Sequence, residues 1–278
     1  MLTVVGRRVT DPLPVLVFSS LVRNRGLVYQ LTRRMIVGRY RGSVFGLAWS
    51  LLIPILMLVV YTFVFGTVFR VRFGAQPDGN LNFAVVLFSG LILHAVLAEC
   101  LARSPGLITN NAQYVKKVVF PLEILAWTSV LTALFQAIIS IAILVAYLVF
   151  LRMQLPVTVL YTPLILGALL LLTVGVTWFL SALAVYLRDI AHLVGITATV
   201  LLFISPIFYP VDRMPAWIQS VIYLNPLSFV VEQLREVIIW GRQPDWAGLA
   251  VYYAVAMLIA CAGLWFFQRV RHGFADVV

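Results

Sequence analysis

The chain has 278 residues, 63% of them hydrophobic and only 11% charged, with a mean hydropathy of +1.03 and a formal net charge of +10. A soluble domain carries roughly 25% charged residues, so this composition excludes one and implies an integral membrane protein. The basic excess does not point to nucleic acid, because the arginines lie at the ends of apolar runs, where they meet anionic headgroups.

In chain order, residues 1–32 carry no signal peptide: the apolar patch Leu13 to Val22 is interrupted by Pro14 and followed by arginines. Leu27, Leu31 and Met35 then recur every four residues with Arg23, Arg25, Arg33 and Arg34 between them, predicting an amphipathic helix in the headgroup plane. That helix reads equally as a surface anchor or as a docking element. Arg33, Arg34, Arg39 and Arg41 lead directly into Gly42 to Phe69, which contains no Asp, Glu, Lys or Arg. About 20 apolar residues suffice to cross a bilayer, so a first span is expected over about 43–69.

Further uncharged runs are Gly79 to Ala98, Ile124 to Leu151, Met153 to Leu187, Ile190 to Val211 and Trp246 to Gln268. Pro156 and Pro163 delay the helix of the overlong fourth run to near Tyr161. The expected fold is therefore all-α and integral to the membrane, with six spans at about 43–69, 79–101, 123–150, 161–187, 190–210 and 246–268. An even count places both termini on one side, here the cytoplasmic one. Fourteen Lys and Arg then fall inside against six outside (Arg70, Arg72, Arg152, Arg213, Arg235 and Arg242), in the direction that topology requires. Between the fifth and sixth spans, Pro215 and Asn225-Pro226 would break a crossing helix, so about 214–240 is read as two short external helices dipping into the membrane edge. The division expected is a cytoplasmic N-terminal segment, 1–42, and a membrane domain, 43–278.

Between the second and third spans, Ser104-Pro105 reads as an N-cap with proline in the first turn, predicting a short polar helix over about 105–114. A polar helix held between two spans is either a lever for a soluble motor or an ordinary solvated turn. The only lysines, Lys116 and Lys117, follow no glycine-rich phosphate loop, so the chain itself binds no ATP in the manner of a P-loop protein. H-E-x-x-H, C-x-x-C and G-x-S-x-G are absent, and no metal site or catalytic residue is expected. His94 and Glu99 are ionisable groups within a span, but five positions place them about 140° apart on a helix, so they form no common site. Glu99 is spaced to pair with Arg103 at i,i+4. Cys100 and Cys261 fall inside apolar runs and read as small packing residues.

Six segments in order carry a resemblance: RYRGSVFGLAWSLLIPI (39–55), KKVVFPLEIL (116–125), RDI (188–190), SPIFYP (205–210), LNP (224–226) and the terminal GFADVV. Together they resemble the permease subunits of ABC-2 type exporters, and among these the group that exports lipid-linked polysaccharides such as O-antigen, capsule and teichoic acid. One departure is Ala126, where that family often carries proline. The resemblance implies a homodimer in the bacterial cytoplasmic membrane and two copies of a separate ATPase subunit that binds ATP and Mg. It assigns Ser104, Pro105, Asn110, Asn111 and Tyr114 to a coupling helix on that ATPase, and Pro215, Trp217, Asn225 and Pro226 to external gate helices. It also places the first and fifth spans along the channel. Tyr61, Phe65 and Phe69 share one helical face, and Phe203, Phe208 and Tyr209 crowd the end of the fifth run, so these aromatics are candidates for contact with sugar rings; packing or an aromatic belt is the competing reading. Arg33, Arg34, Arg39 and Arg41 are candidates for the diphosphate of a lipid carrier, or for anionic lipid alone. A drug or small-lipid exporter is the alternative within the family, and an ion-coupled carrier or channel the alternative outside it.

Overall fold

The computed structural model describes residues 3–4, 7–8, 12–69, 83–115, 120–151, 155–211 and 214–277. Residues 79–82, Lys116 and Lys117, and Arg70, Arg72, Arg152 and Arg213 of the charge tally lie outside them. Apart from a two-residue antiparallel pairing of Thr3–Val4 with Arg7–Arg8, the regular structure among the described residues is helical.

Helices α1 (Leu13–Arg23) and α2 (Arg25–Arg39) come first. The sequence reading placed no helix over 13–22, but Pro14 stands in the first turn of α1, where its missing N–H costs nothing. Leu16 and Val17 of α1 and Val28 of α2 are buried in the main core, and Trp127 of α7 (Ile124–Phe150) donates its indole N–H to Ser20 Oγ at 3.2 Å. Helix α3 (Trp49–Tyr61) is extended by a 3-10 turn at Gly46–Ala48 and a π-helical stretch at Thr62–Val68. It matches the expected first span to within a turn. Helix α4 (Phe83–Arg103) is the centre of the bundle, with α3, α7, α8, α9 and α11 packed around it.

The connection after α4 departs from expectation. It holds two short helices, α5 (Gly106–Thr109) and α6 (Ala112–Val115), instead of one over 105–114. Asn111 turns its side-chain amide onto the Leu107 carbonyl at 2.9 Å, the local competition by which asparagine ends helices. Helix α8 (Thr162–Tyr186) follows a 3-10 turn at Val157–Tyr161, close to the start expected at Tyr161. Helix α9 (Ile190–Ile204) stops six residues short of the expected 210, because Ser205 turns extended ahead of Pro206. Helices α10 (Ala216–Leu224) and α11 (Pro226–Ile238) occupy the broken segment, and α12 (Trp246–Val270) and α13 (Phe274–Val277) end the described chain.

Among the described residues, five helical stretches are long and apolar enough to cross a membrane: 46–68, 83–103, 124–150, 157–186 and 246–273. At 15 residues, α9 spans only about 22 Å at 1.5 Å per residue. The tightest helix pair is α8 with α12, whose backbones touch: a Cβ built on Gly175 would lie 2.6 Å from Ala260 Cα, and one on Gly263 would clash with the Gly175 carbonyl. Small residues at such a crossing replace the hydrophobic drive that lipid does not supply.

Candidate functional site

Chemistry collects at the two ends of α4. At its C-terminal end, Glu99 accepts from Arg103 at 3.0 Å, as the i,i+4 spacing predicts, and also from Arg39 of α2. Ser104 is fully buried, and its hydroxyl donates to the Cys100 carbonyl at 2.7 Å. It therefore finishes α4 instead of capping a following helix, a correction to its expected role. Pro105 precedes α5, Leu107 and Ile108 bury beneath the turn, and Asn110 and Asn111 form the break before α6. Tyr114 stacks on Phe120 with ring centroids 4.4 Å apart, and its hydroxyl accepts from Arg34 of α2 at 3.3 Å. A cleft of about 290 Å³ separates α2 from this segment, lined by Leu31, Arg34, Asn110, Asn111 and Tyr114 among others. All four arginines, Arg33, Arg34, Arg39 and Arg41, are exposed. Two of them, Arg34 and Arg39, also bond to side chains of α6 and α4.

At the N-terminal end of α4, the two aromatic groups expected from the sequence converge. Tyr61 and Phe65 of the first span and Phe208 after α9 all pack on a small cluster of Phe83, Leu87 and Ile207. Phe69 contacts Phe65 at 6.1 Å and is otherwise exposed, and Phe203 stacks on Phe208 at 5.9 Å. Tyr209 donates its hydroxyl to the carbonyls of Phe203 at 2.8 Å and Ile204 at 3.1 Å, which fixes its ring at the broken end of α9.

The segment after α9 is locked to this end. Asn225 caps α11 by accepting from the Leu227 N–H at 3.0 Å and donates to Ser205 Oγ at 2.8 Å, with Pro226 in the first turn. Pro215 precedes α10, and Trp217 is 72% exposed on it. One residue was missed by the sequence reading, which counted it as an external charge. Arg235 of α11 is buried and donates to the Pro206 carbonyl at 2.6 Å, to Val86 O at 3.0 Å and to Ile207 O at 3.1 Å. Burial lowers its pKa to about 10, against the pull of Glu232, so it remains charged at neutral pH. A signal was available: Arg235 lies in the apolar period of Leu227, Val231, Leu234 and Ile238, where a charge must be satisfied internally.

His94 and Glu99 stay separate, as their spacing predicts: His94 Nε2 lies 3.0 Å from the Ala198 carbonyl of α9, and Glu99 faces α2. Among the described residues no three His, Cys, Asp or Glu side chains come together to hold a metal.

A family model described as ABC-2 type transporter matches residues 26–239. The chain belongs to the ABC-2 type transporter family. This ABC-2 chain is 26% identical to the O-antigen export system permease protein RfbA of Klebsiella pneumoniae, over 91% of its own length and 95% of the relative's. It is 26% identical to the polysialic acid transport protein KpsM of Escherichia coli, over 81% and 86%. It is also 26% identical to the daunorubicin resistance ABC transporter permease protein DrrB1 of Streptomyces coeruleorubidus, over 77% and 75%. It is a multi-pass membrane permease of an ABC exporter.

Proposed function

We propose that the chain is the permease subunit of an ATP-driven exporter that moves a lipid-linked polysaccharide out across the bacterial cytoplasmic membrane. Two copies form the channel, and two copies of a separate ATPase, with ATP and Mg bound there, seat against α5, α6 and α2. Both termini are cytoplasmic, and six crossings arise when α9 and the Ser205–Val211 turn together complete the fifth. Arg33 and Arg41 meet the carrier headgroup, while Arg34 and Arg39 tie the interface helix to the lever. The α10–α11 pair forms the external gate.

One observation carries the reading. Aromatic side chains from α3 and from beyond α9 meet in one cluster at a single end of α4, about 20 Å along the helix from the Glu99 cluster at 1.5 Å per residue. Ring faces pass sugar units by apolar contact without a fixed hydrogen-bond pattern, which suits a moving polymer. Only 11% of the first span is buried within one chain, which supports a second copy covering it. Family membership favours an ATPase-driven subunit over an ion-coupled carrier.

A second reading has its own support. An apolar groove of about 560 Å³ between α3 and α7, lined by Ile55, Leu58, Phe63, Tyr147 and Phe150 among others, suits a drug or acyl chain, and one relative is named for drug resistance. Co-purification of the chain with the ATPase encoded beside it, followed by hydrolysis assays in liposomes, separates the two. Stimulation by an undecaprenyl-linked glycan supports polysaccharide export. Stimulation by daunorubicin and not by the glycan replaces it with drug export.

A further inference from the structure

Beyond the aromatic cluster, the turn after α9 and the gate helices enclose a cavity of about 300 Å³. Its lining combines three aromatic rings, Tyr209, Tyr223 and Trp240, with two carboxylates, Glu232 and Glu236, one turn apart on α11. Tyr209 is held from behind by its hydrogen bonds to Phe203 and Ile204, and the same turn carries Phe208 into the aromatic cluster. The cavity is therefore the next chamber along the row of rings.

The chemistry of the lining selects among ligands. Flat rings offer apolar faces for the C–H side of a pyranose, and paired carboxylates offer acceptors for its adjacent hydroxyls. Three charged lining residues disfavour an acyl chain. Arg235, the one cation of the lining among the described residues, donates to the carbonyls of Val86, Pro206 and Ile207. An anionic sugar or phosphate would meet the carboxylates of Glu232 and Glu236, the second of which pairs with Arg242 at 3.7 Å, while the donors of Arg235 bond to backbone carbonyls. A divalent cation needs more oxygen ligands than two carboxylates among aromatic rings provide, and no three-residue metal cluster exists among the described residues. The volume stands at the lower bound of small-molecule sites, about 300 Å³, which suits one ring.

We propose that this cavity binds one uncharged pyranose unit of the exported chain on the external side, stacked on Tyr223 and Trp240 and hydrogen-bonded to Glu232 and Glu236. The identity of the occupant rests on the polysaccharide-export reading above. The site gives the emerging glycan a resting place behind the gate helices, and it selects against acidic sugars.

The test uses the full chain in lipid nanodiscs and saturation-transfer NMR with methyl α-mannopyranoside, methyl β-galactopyranoside, methyl N-acetylglucosaminide and N-acetylneuraminic acid as probes. Saturation is expected on the ring protons of at least one uncharged glycoside and not on N-acetylneuraminic acid. Tyr223→Ala, at a position 59% exposed, and Glu232→Gln should each weaken binding about tenfold, while Tyr223→Phe retains it, as loss of one stacking or charged contact implies. No transfer to any uncharged glycoside, binding as strong as wild type in Tyr223→Ala and Glu232→Gln, or competition by N-acetylneuraminic acid overturns the site. Glycoside binding without glycan export in cells supports the sugar site and sinks the export reading. Export without glycoside binding does the reverse.

Discussion

Arg39 of α2 grips the carboxylate of Glu99 on α4, 60 positions away in the chain, and Arg103 shares the same carboxylate. The contact joins the amphipathic helix, which lies outside the spans, to the most central helix of the bundle. It sits just before the α5–α6 segment, which the proposed function assigns to ATPase coupling.

Replacing Glu99 by Gln should therefore separate coupling from stability. Both side chains are more than a fifth exposed, and such pairs contribute about 1 kcal/mol or less. The melting temperature of the complex should barely change, while glycan exported per ATP hydrolysed falls several-fold in liposomes. Unchanged export per ATP would remove the coupling role of this contact.

The α8–α12 crossing should tolerate no side chain. Gly263→Ala drives a methyl group into the Gly175 carbonyl, and overpacking of this kind costs about 1–3 kcal/mol. Gly195→Ala is the control, because nothing lies within 4 Å of the added methyl within the chain. Denaturation in mixed detergent should show early unfolding for the first variant alone, and equal behaviour of the two would contradict the close backbone contact.

Arg235 is predicted to be a structural clamp between α11, α4 and the turn after α9. Arg235→Met leaves the carbonyls of Val86, Pro206 and Ile207 without this donor, a loss of about 1–3 kcal/mol for buried acceptors left unsatisfied. Arg235→Lys should recover only part of this, since one ammonium cannot reproduce the planar fork. Yield of folded protein after membrane extraction checks the order wild type, Lys, Met; a fully stable Met variant would show that these bonds stabilise nothing.

Glu232 gives a pH dependence whose sign follows from its surroundings. Burial raises its pKa above the ordinary glutamate value, with Arg235 opposing and Glu236 adding to the rise. A raised carboxyl disfavours the charged form in the folded state, so the penalty is absent below the unfolded pKa and complete above the folded one. Glu232→Gln should thus stabilise the protein at pH 7, give no gain near pH 4, and flatten thermal stability as pH rises from the ordinary glutamate range. A destabilised Gln variant at pH 7 would mean that Arg235 more than compensates the burial. The same variant is expected to bind sugar less well, a local trade of function against stability.

Much of the architecture was legible because hydropathy is a local property that adds along the chain. The uncharged run after Arg41, the proline breaks at Pro215 and Pro226, and the Glu99–Arg103 spacing each carry their meaning within a few residues. The helix over 13–23 was not legible, since Pro14 reads as a breaker unless its place in the first turn is known. Nor was the early end of α9, where extended backbone before Pro206 stops an apolar run that composition alone would continue.

The sequence by itself determined the solvent, the helical class, the approximate spans and the resemblance to ABC-2 permeases, all through composition, period and ordered motifs. Only the tertiary structure decided that Tyr61, Phe65 and Phe208 share one cluster, that Arg39 closes on Glu99, and that Arg235 lies buried on three carbonyls. In a low-dielectric interior every polar group must find a partner, and those partners come from segments far apart in the chain. Their identity is fixed by packing in three dimensions, which no local pattern of residues encodes.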